Sequence, residues 1–275
     1  MDIAEIRRIV SRLQSHLFKN ANSFSVGMLK SHFRGAGLQF KEHQVYNVGD
    51  DVRFIDWKLS AKTTSTFVKT FEEERNVEIT CVVDVSESLL LGFGRTTKLT
   101  AILEVIALLN LLAEKSKDLV KVVFFVDKII QMPSSSGEKG IGSFIRTCEK
   151  LDLVDSQGRA NLKYTLENPL SPDKKRAFIK GLLARRKEVV LLSDFSTLGE
   201  TDSIQTLLAQ QSLHGFQVVS PVDIGAATPI SFLAKVGRES KLVRSKTNKA
   251  IELSGRHRRL DVSTRYLEDF VREML

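Results

Sequence analysis

The sequence predicts an α/β protein built on a doubly wound, mostly parallel sheet with helices on both faces, and three observations carry that prediction. The runs ITCVVDVS, VKVVFFVD, KEVVLLSDFS and FQVVSPVD are continuously apolar and then turn abruptly polar. Strands buried on both faces of a parallel sheet read that way. Between them lie helical segments, TKLTAILEVIALLNLLAEK, IGSFIRTCEKL, SPDKKRAFIKGLLARRK and TDSIQTLLAQQSLHG. Such alternation implies right-handed crossovers. Finally, 275 residues, 42% hydrophobic and 27% charged, suit one large domain or one domain with a small lobe.

The elements follow in order. Met1 to Phe18 reads as an amphipathic helix with Ile3, Ile6, Ile9 and Val10 on one face. Its charges run through what would be the apolar region of a signal peptide, so the expectation is a cytoplasmic protein. Leu29 to Gln44 is polar, glycine-containing and without clear period, whereas Phe67 to Phe71 alternates like a half-exposed strand. The strand–helix rhythm runs from Val77 to Asp223. Ser171 as N-cap with Pro172 behind it opens one helix, and Gly215 is expected to close another. ISFLAKVG and KLVRSKTNKAIEL suggest short strands, and VSTRYLEDFVREML a helix capped by Ser263. The expected division is an N-terminal helix and strand lobe (1–76), the α/β core (77–225) and a small C-terminal appendage of strands and a helix (226–275).

Composition narrows the function classes. No apolar run approaches the roughly 20 residues of a membrane span. Cys81 and Cys148 have no CxxC spacing and read as reduced, mostly buried thiols. The net charge of +8 admits acidic partners: nucleic acid, anionic lipid or an acidic protein face.

Open parallel sheets bind ligands beyond the carboxyl ends of their strands. Two buried strands here end in oxygen-bearing residues, Asp84-Val85-Ser86-Glu87-Ser88 and Ser193-Asp194-Phe195-Ser196. Asp84, Ser86 and Ser88 alternate, so a loop leaving the strand can turn three oxygens toward one point, and Asp194 supplies a second carboxylate. Hard cations take such oxygens. The plainer reading is that these side chains cap strand-to-helix loops.

DVSES resembles the DxSxS signature of the metal-ion-dependent adhesion site of von Willebrand factor A domains, and VVLLSDFS is similar to the strand that delivers that site's later aspartate. Upstream, HFRGAGLQFKEHQVYNVGDDVRFIDWKLSAKT followed by FEEER resembles a bacterial family of unknown function (domain of unknown function fifty-eight). The resemblance is long, from about Ser31 to Ser88. It implies a von Willebrand factor A-like fold, a magnesium or manganese ion held by Asp84, Ser86, Ser88 and Asp194, and association with MoxR-type AAA+ ATPases. One departure concerns the cation: Ala160, in Gly158-Arg159-Ala160-Asn161-Leu162, stands where the family's threonine ligand is expected.

Other motifs read as structure. In the signature Gly49, Asp50, Asp51, Arg53, Asp56 and Trp57, the glycine makes a turn and Asp50 or Asp51 pairs with Arg53. Trp57 is expected to pack the N-terminal lobe onto the sheet. His16, His32, His43, His214 and His257 are scattered, with no nucleophile elbow nearby. Gly92-Phe93-Gly94-Arg95-Thr96-Thr97-Lys98 lacks phosphate-loop spacing. A basic stretch ends in Arg256-His257-Arg258-Arg259.

Composition and spacing point only to a binding site without catalytic machinery; the family resemblance implies a non-enzymatic protein-binding adaptor acting with a MoxR-type ATPase on client proteins in their maturation or assembly. Glu87, Arg95, Lys98 and Arg159 are the expected partner-binding residues. Asp84→Ala or Asp194→Ala is expected to weaken the partner without loss of fold. The alternatives are a nucleic-acid-associated protein binding through Arg256, Arg258 and Arg259, and a scaffolding domain whose cation site has degenerated.

Overall fold

The computed structural model describes residues 37–47, 50–74, 78–94, 96–155, 157–185, 187–224, 231–236, 239–244, 253 and 257–274. The helix read at Met1 to Phe18, Gly49, Arg95 and Arg256 lie outside the described residues. The strands are β1 (Gly37–Val45), β2 (Phe67–Glu74), β3 (Glu78–Asp84), β4 (Gly92–Phe93), β5 (Thr96–Thr97) and β6 (Leu119–Phe125), then β7 (Ile129–Gln131), β8 (Glu188–Ser193), β9 (Leu213–Val219), β10 (Ser231–Val236), β11 (Glu239–Arg244) and β12 (His257–Asp261). The helices are α1 (Trp57–Ser60), α2 (Lys98–Ser116), α3 (Gly137–Lys150), α4 (Pro172–Ala184), α5 (Thr201–Leu208), α6 (Pro221–Ile224) and α7 (Tyr266–Met274).

Six strands form one sheet in the order β12-β9-β8-β3-β6-β7. Its pairs are parallel except β6 with β7. The chain runs outward from β3 to β6 and β7, then crosses back to β8 on the other side of β3 and continues to β9 and β12. That reversal makes the carboxyl ends of β3 and β8 the switch point of the sheet, where open α/β sheets form their crevice.

Alternation divides the buried side chains between two faces. Ile79, Cys81 and Val83 of β3, with Val122 and Phe124 of β6 and Val190 and Leu192 of β8, pack on the side of α2, α3 and α7. Val82, Val123, Phe125, Val189 and Leu191 pack on the side of α4 and α5. Helix α2 is buried on nearly every side, from Leu99 through Ala113, because α3 and α7 cover the surface it turns from the sheet. A helix apolar all round is buried in this way. Thr97 caps its start by accepting from the Thr100 backbone amide at 3.0 Å. Both cysteines are free and buried, and burial pushes the Cys81 thiol up to about 12.

The structure departs from the sequence reading at several boundaries. Gly37–Val45, expected to be irregular, is a strand paired antiparallel with β2. Its register shifts between Phe40 and Glu42, and that bulge breaks the alternation that would have announced it. Gly215 does not close a helix: α5 ends at Leu208 and Gly215 sits inside β9. A Cβ there would lie 2.2 Å from the end of the buried Leu208 side chain, which would have to shift, so glycine suits this close helix–strand approach. Ser171 precedes α4 without a side-chain capping hydrogen bond, leaving Pro172 as the start signal. Ser263 donates instead to Asp261, three residues ahead of α7.

The larger difference is the C-terminal segment. His257–Asp261, read as a basic tail, is the parallel edge strand beside β9, and α7 packs on α2. Leu260, Val262, Leu267, Phe270 and Val271 belong to the main core. This part is therefore no appendage; the boundary at 225 cuts through the sheet. Charged residues on an exposed edge strand discourage further pairing. Arg258 is occupied there, 5.6 Å over the Phe216 ring and 3.6 Å from Glu273.

Candidate functional site

Asp84 closes β3 and Asp194 follows directly on β8, so neighbouring strands deliver both carboxylates to the switch point. Asp84 has no exposed surface. Its Oδ1 accepts from Lys175 Nζ at 2.6 Å, and its Oδ2 from Thr197 Oγ1 at 2.7 Å and Ser193 Oγ at 3.2 Å. Asp194 Oδ2 accepts from Lys98 Nζ at 2.9 Å and Ser88 Oγ at 2.5 Å. Its Oδ1 takes the Ser196 backbone amide and hydroxyl, at 3.1 and 2.6 Å. Lys98 also lies 3.2 Å from Asp223, which follows β9. The Ser86 and Ser88 hydroxyls are 2.7 Å apart, and Ser88 and Ser196 are 3.2 Å apart.

The turn after β8 is strained. Phe195 has φ +65°, unusual for an aromatic residue, and is fully buried in the second core cluster. Its amide donates to Ser193 Oγ at 2.8 Å, which helps hold the turn. Backbone strain of this kind concentrates at functional sites, where packing over-determines it. Here it aims Asp194 at Lys98 and Ser88.

The electrostatics differ between the two carboxylates. Burial pushes Asp84 above its ordinary range, opposed by the Lys175 ammonium and the Thr197 hydroxyl. Asp194 is also penalised by burial, but the Lys98 ammonium and the hydroxyls of Ser196 and Ser88 outweigh that and hold it below the usual carboxylate range.

These residues do not fit the divalent cation that the sequence resemblance implies. Both carboxylates already face an ammonium at ion-pair distance, and both lysine side chains are about 1% exposed. A dication about 4 Å from one ammonium would be repelled by on the order of 8 kcal/mol at an effective dielectric near 20. Ala160 is bridged to Val154 and packs on the core, and Arg159 beside it is ion-paired to Asp155 at 3.2 Å. Among the described residues, no group of three His, Cys, Asp or Glu side chains is placed to hold a metal.

The expected site residues therefore separate. Ser86, Ser88 and Asp194 join in one hydrogen-bonded cluster, while Asp84, at the end of the strand adjacent to β8, is held by Lys175 of α4. Glu87 is exposed and accepts from the Leu166 amide at 3.3 Å; Arg159 is exposed as well. Lys98 was expected to face a partner and does not: it is buried between Asp194 and Asp223, where its charge is needed to offset theirs. The glycine-rich stretch before it folds as the β4–β5 hairpin, with Gly94 at φ +61° in the turn. Beside this hairpin opens a groove of about 880 Å³, lined by Leu90, Phe93, Thr100, Arg159, Leu162 and Lys163 among others.

Sequence reasoning missed Lys175, Thr197 and Asp223. Asp223 had a signal, since it follows a buried strand just as Asp84 and Asp194 do. Lys175, one of four basic residues in DKKRAFIK, had none.

The upstream signature is a set of local caps. Asp51 caps a short 3-10 helix and pairs with Arg53 at 2.6 Å, which, with the Arg53 amide, holds its carboxyl at about 2. Asp50 accepts from the Asn47 amide at 2.8 Å. Asp56 caps α1, accepting from the Leu59 amide at 3.0 Å, and also meets His43 and Lys69. The amide first, then His43 and Lys69, hold it at about 2. Trp57 overturns the packing expectation, for it is 71% exposed: as the first residue of α1 it points away from the lobe's interior. Trp57→Ala should accordingly shift stability by no more than about 0.5 kcal/mol, checked by the urea midpoint from circular dichroism.

The fold and its strand-end cluster define a mixed α/β protein whose crevice is built from buried ion pairs and hydroxyls. The chain belongs to the family described as Protein of unknown function DUF58, whose model matches residues 42–230. It is 25% identical over 194 residues to Uncharacterized protein Mb1516 of Mycobacterium bovis and likewise to Uncharacterized protein Rv1480 of Mycobacterium tuberculosis. Those matches take in 69% of this chain and 57% of either relative, so the chain spans little more than half their length. Among solved structures it is similar to BatB from Bacteroides thetaiotaomicron, with 15% identity, TM-score 0.41, and coverage of 72% of this chain and 96% of that one. An aerotolerance-related membrane protein from Bacteroides fragilis gives 15% identity, TM-score 0.40, and coverage of 72% and 98%. Among the described residues no helix is long and apolar enough to cross a membrane.

Proposed function

We propose that the chain is a non-enzymatic, von Willebrand factor A-like adaptor that binds a MoxR-type AAA+ ATPase and presents client proteins to it during maturation or assembly. The observation that carries this reading is the state of the switch-point crevice. Its carboxylates are spent in buried ion pairs and its hydroxyls in hydrogen bonds to them or to one another, so the site offers a shaped rim in place of poised acid, base or nucleophile. The groove combines exposed Phe93 and Leu162 with Lys163 and with Arg159, itself paired to Asp155 on the same lining, which suits a partly apolar protein surface carrying some acidic groups. The net charge of +8 would speed encounter with such a partner and make association salt-sensitive. The ATPase itself comes from the sequence resemblance.

The test is binding to a MoxR-type AAA+ ATPase from the same organism, measured by biolayer interferometry at low and high salt. Phe93→Asp and Leu162→Asp, both at exposed positions, should weaken binding by at least about tenfold, or about 1.4 kcal/mol, with the melting temperature kept. Full affinity in both variants would place the partner elsewhere. Loss of binding only on changing Arg258 and Arg259, with sequence-tolerant DNA binding that falls steeply with salt, would favour the nucleic-acid alternative.

A further inference from the structure

We propose that Lys98 and Lys175 permanently supply the positive charge that a divalent cation would bring to this DxSxS cluster, so that the strand-end rim assembles without metal. This goes beyond the adaptor reading and holds whichever partner binds.

The two ammoniums are placed as charge compensators. Lys98 is the first residue of α2 and Lys175 lies in the first turn of α4. A helix N-terminus carries partial positive charge and disfavours a lysine, the more so without water. Each lysine nonetheless reaches inward to a carboxylate that closes a central strand, at 2.9 Å for Asp194 and 2.6 Å for Asp84. Their helices pack on opposite faces of the sheet, so one ammonium enters the crevice from each side.

The charge count comes within one unit of neutrality without a cation. Asp84, Asp194 and Asp223 against Lys98 and Lys175 leave one net negative charge, and added magnesium would reverse its sign. The oxygens are occupied too. Both atoms of Asp84 and both of Asp194 accept from protein donors, and Ser86, Ser88 and Ser196 hydrogen-bond within the cluster. Displacing either lysine would mean moving a fully buried side chain away from the carboxylate it neutralises, and for Lys98 would leave Asp223 alone to hold it.

The experiment uses the full chain stripped with EDTA. Calorimetry and thermal unfolding are run with magnesium and with manganese up to about 10 mM, a level at which a 0.1 mM site would raise the melting temperature by several degrees. The wild type should give no saturable heat and no rise. One-to-one binding that disappears in Asp194→Asn overturns the proposal. Lys98→Met, which removes one built-in charge, should melt below the wild type and regain part of the loss with manganese. A Lys98→Met protein that melts at the wild-type temperature also overturns it. If that variant yields no folded protein, the wild-type calorimetry decides the question alone.

Discussion

Lys175→Met should lower the unfolding free energy by about 3–5 kcal/mol, because it leaves the Asp84 carboxylate buried without its counter-ion. Asp84 has no exposed surface and Lys175 about 1%, so water cannot replace the lost partner without opening the sheet end. In a chain of this size such a loss corresponds to a melting temperature roughly 6–20 °C lower. The converse change is as costly. Asp84→Ala strands the Lys175 ammonium and removes the acceptor for Thr197 and Ser193. The sequence-based expectation that Asp84→Ala spares the fold is therefore replaced by the opposite one. The double variant Asp84→Asn with Lys175→Met removes both charges and keeps an oxygen for Thr197, so it should recover much of the loss. A coupling energy near zero in that double-mutant cycle, read from urea midpoints, would show that the pair contributes nothing.

The pair also shows where a single sequence is legible. Asp84, Ser86, Ser88 and Asp194 could be placed at one sheet end because they follow short, continuously apolar, β-branched runs that end abruptly in polar residues. Their meeting at the switch point follows from parallel topology, and the structure brings the carboxylates there on adjacent strands. What those carboxylates bind was not legible. Lys98 stands alone at the start of its helix and Lys175 sits among Lys174, Arg176 and Lys180, and nothing in either local pattern separates a lysine that folds inward from one that faces water. The same limit applies to Trp57, since aromatic identity argues for burial only when its element has something to pack against. Strand β1 was hidden for a different reason, because a bulge shifts its alternation midway. Strand β12 was hidden by composition: HRRLD has one apolar residue, and its identity as a strand comes from pairing with β9.

Phe270→Ala should cost about 3–5 kcal/mol, the range for truncating a buried aromatic side chain. On α7, Leu267, Phe270 and Val271 form the buried stripe, flanked by the partly buried Tyr266 and Met274. Phe270 is 1% exposed and its ring centroid lies 4.7 Å from that of Phe216 on β9, a tilted contact that adds to the lost burial. Removing it opens a cavity between α7 and the sheet, bordered by α2 as well. Arg272→Ala is the control on the same helix, since Arg272 is 73% exposed and pairs with Asp269 one turn earlier. Exposed pairs of that kind contribute under about 1 kcal/mol. The two variants separate two pictures of the C-terminal segment. If residues 257–274 were an appendage, Phe270→Ala would loosen them locally and leave the unfolding of the sheet unchanged. As the sixth strand and a covering helix of the core, they should unfold with it. A single transition shifted to lower urea, together with parallel loss of amide protection at Leu260 on β12 and Val218 on β9, is the expected result. Loss of protection confined to β12 and α7, with Val218 and Val82 still at wild-type protection, would refute the single-core assignment.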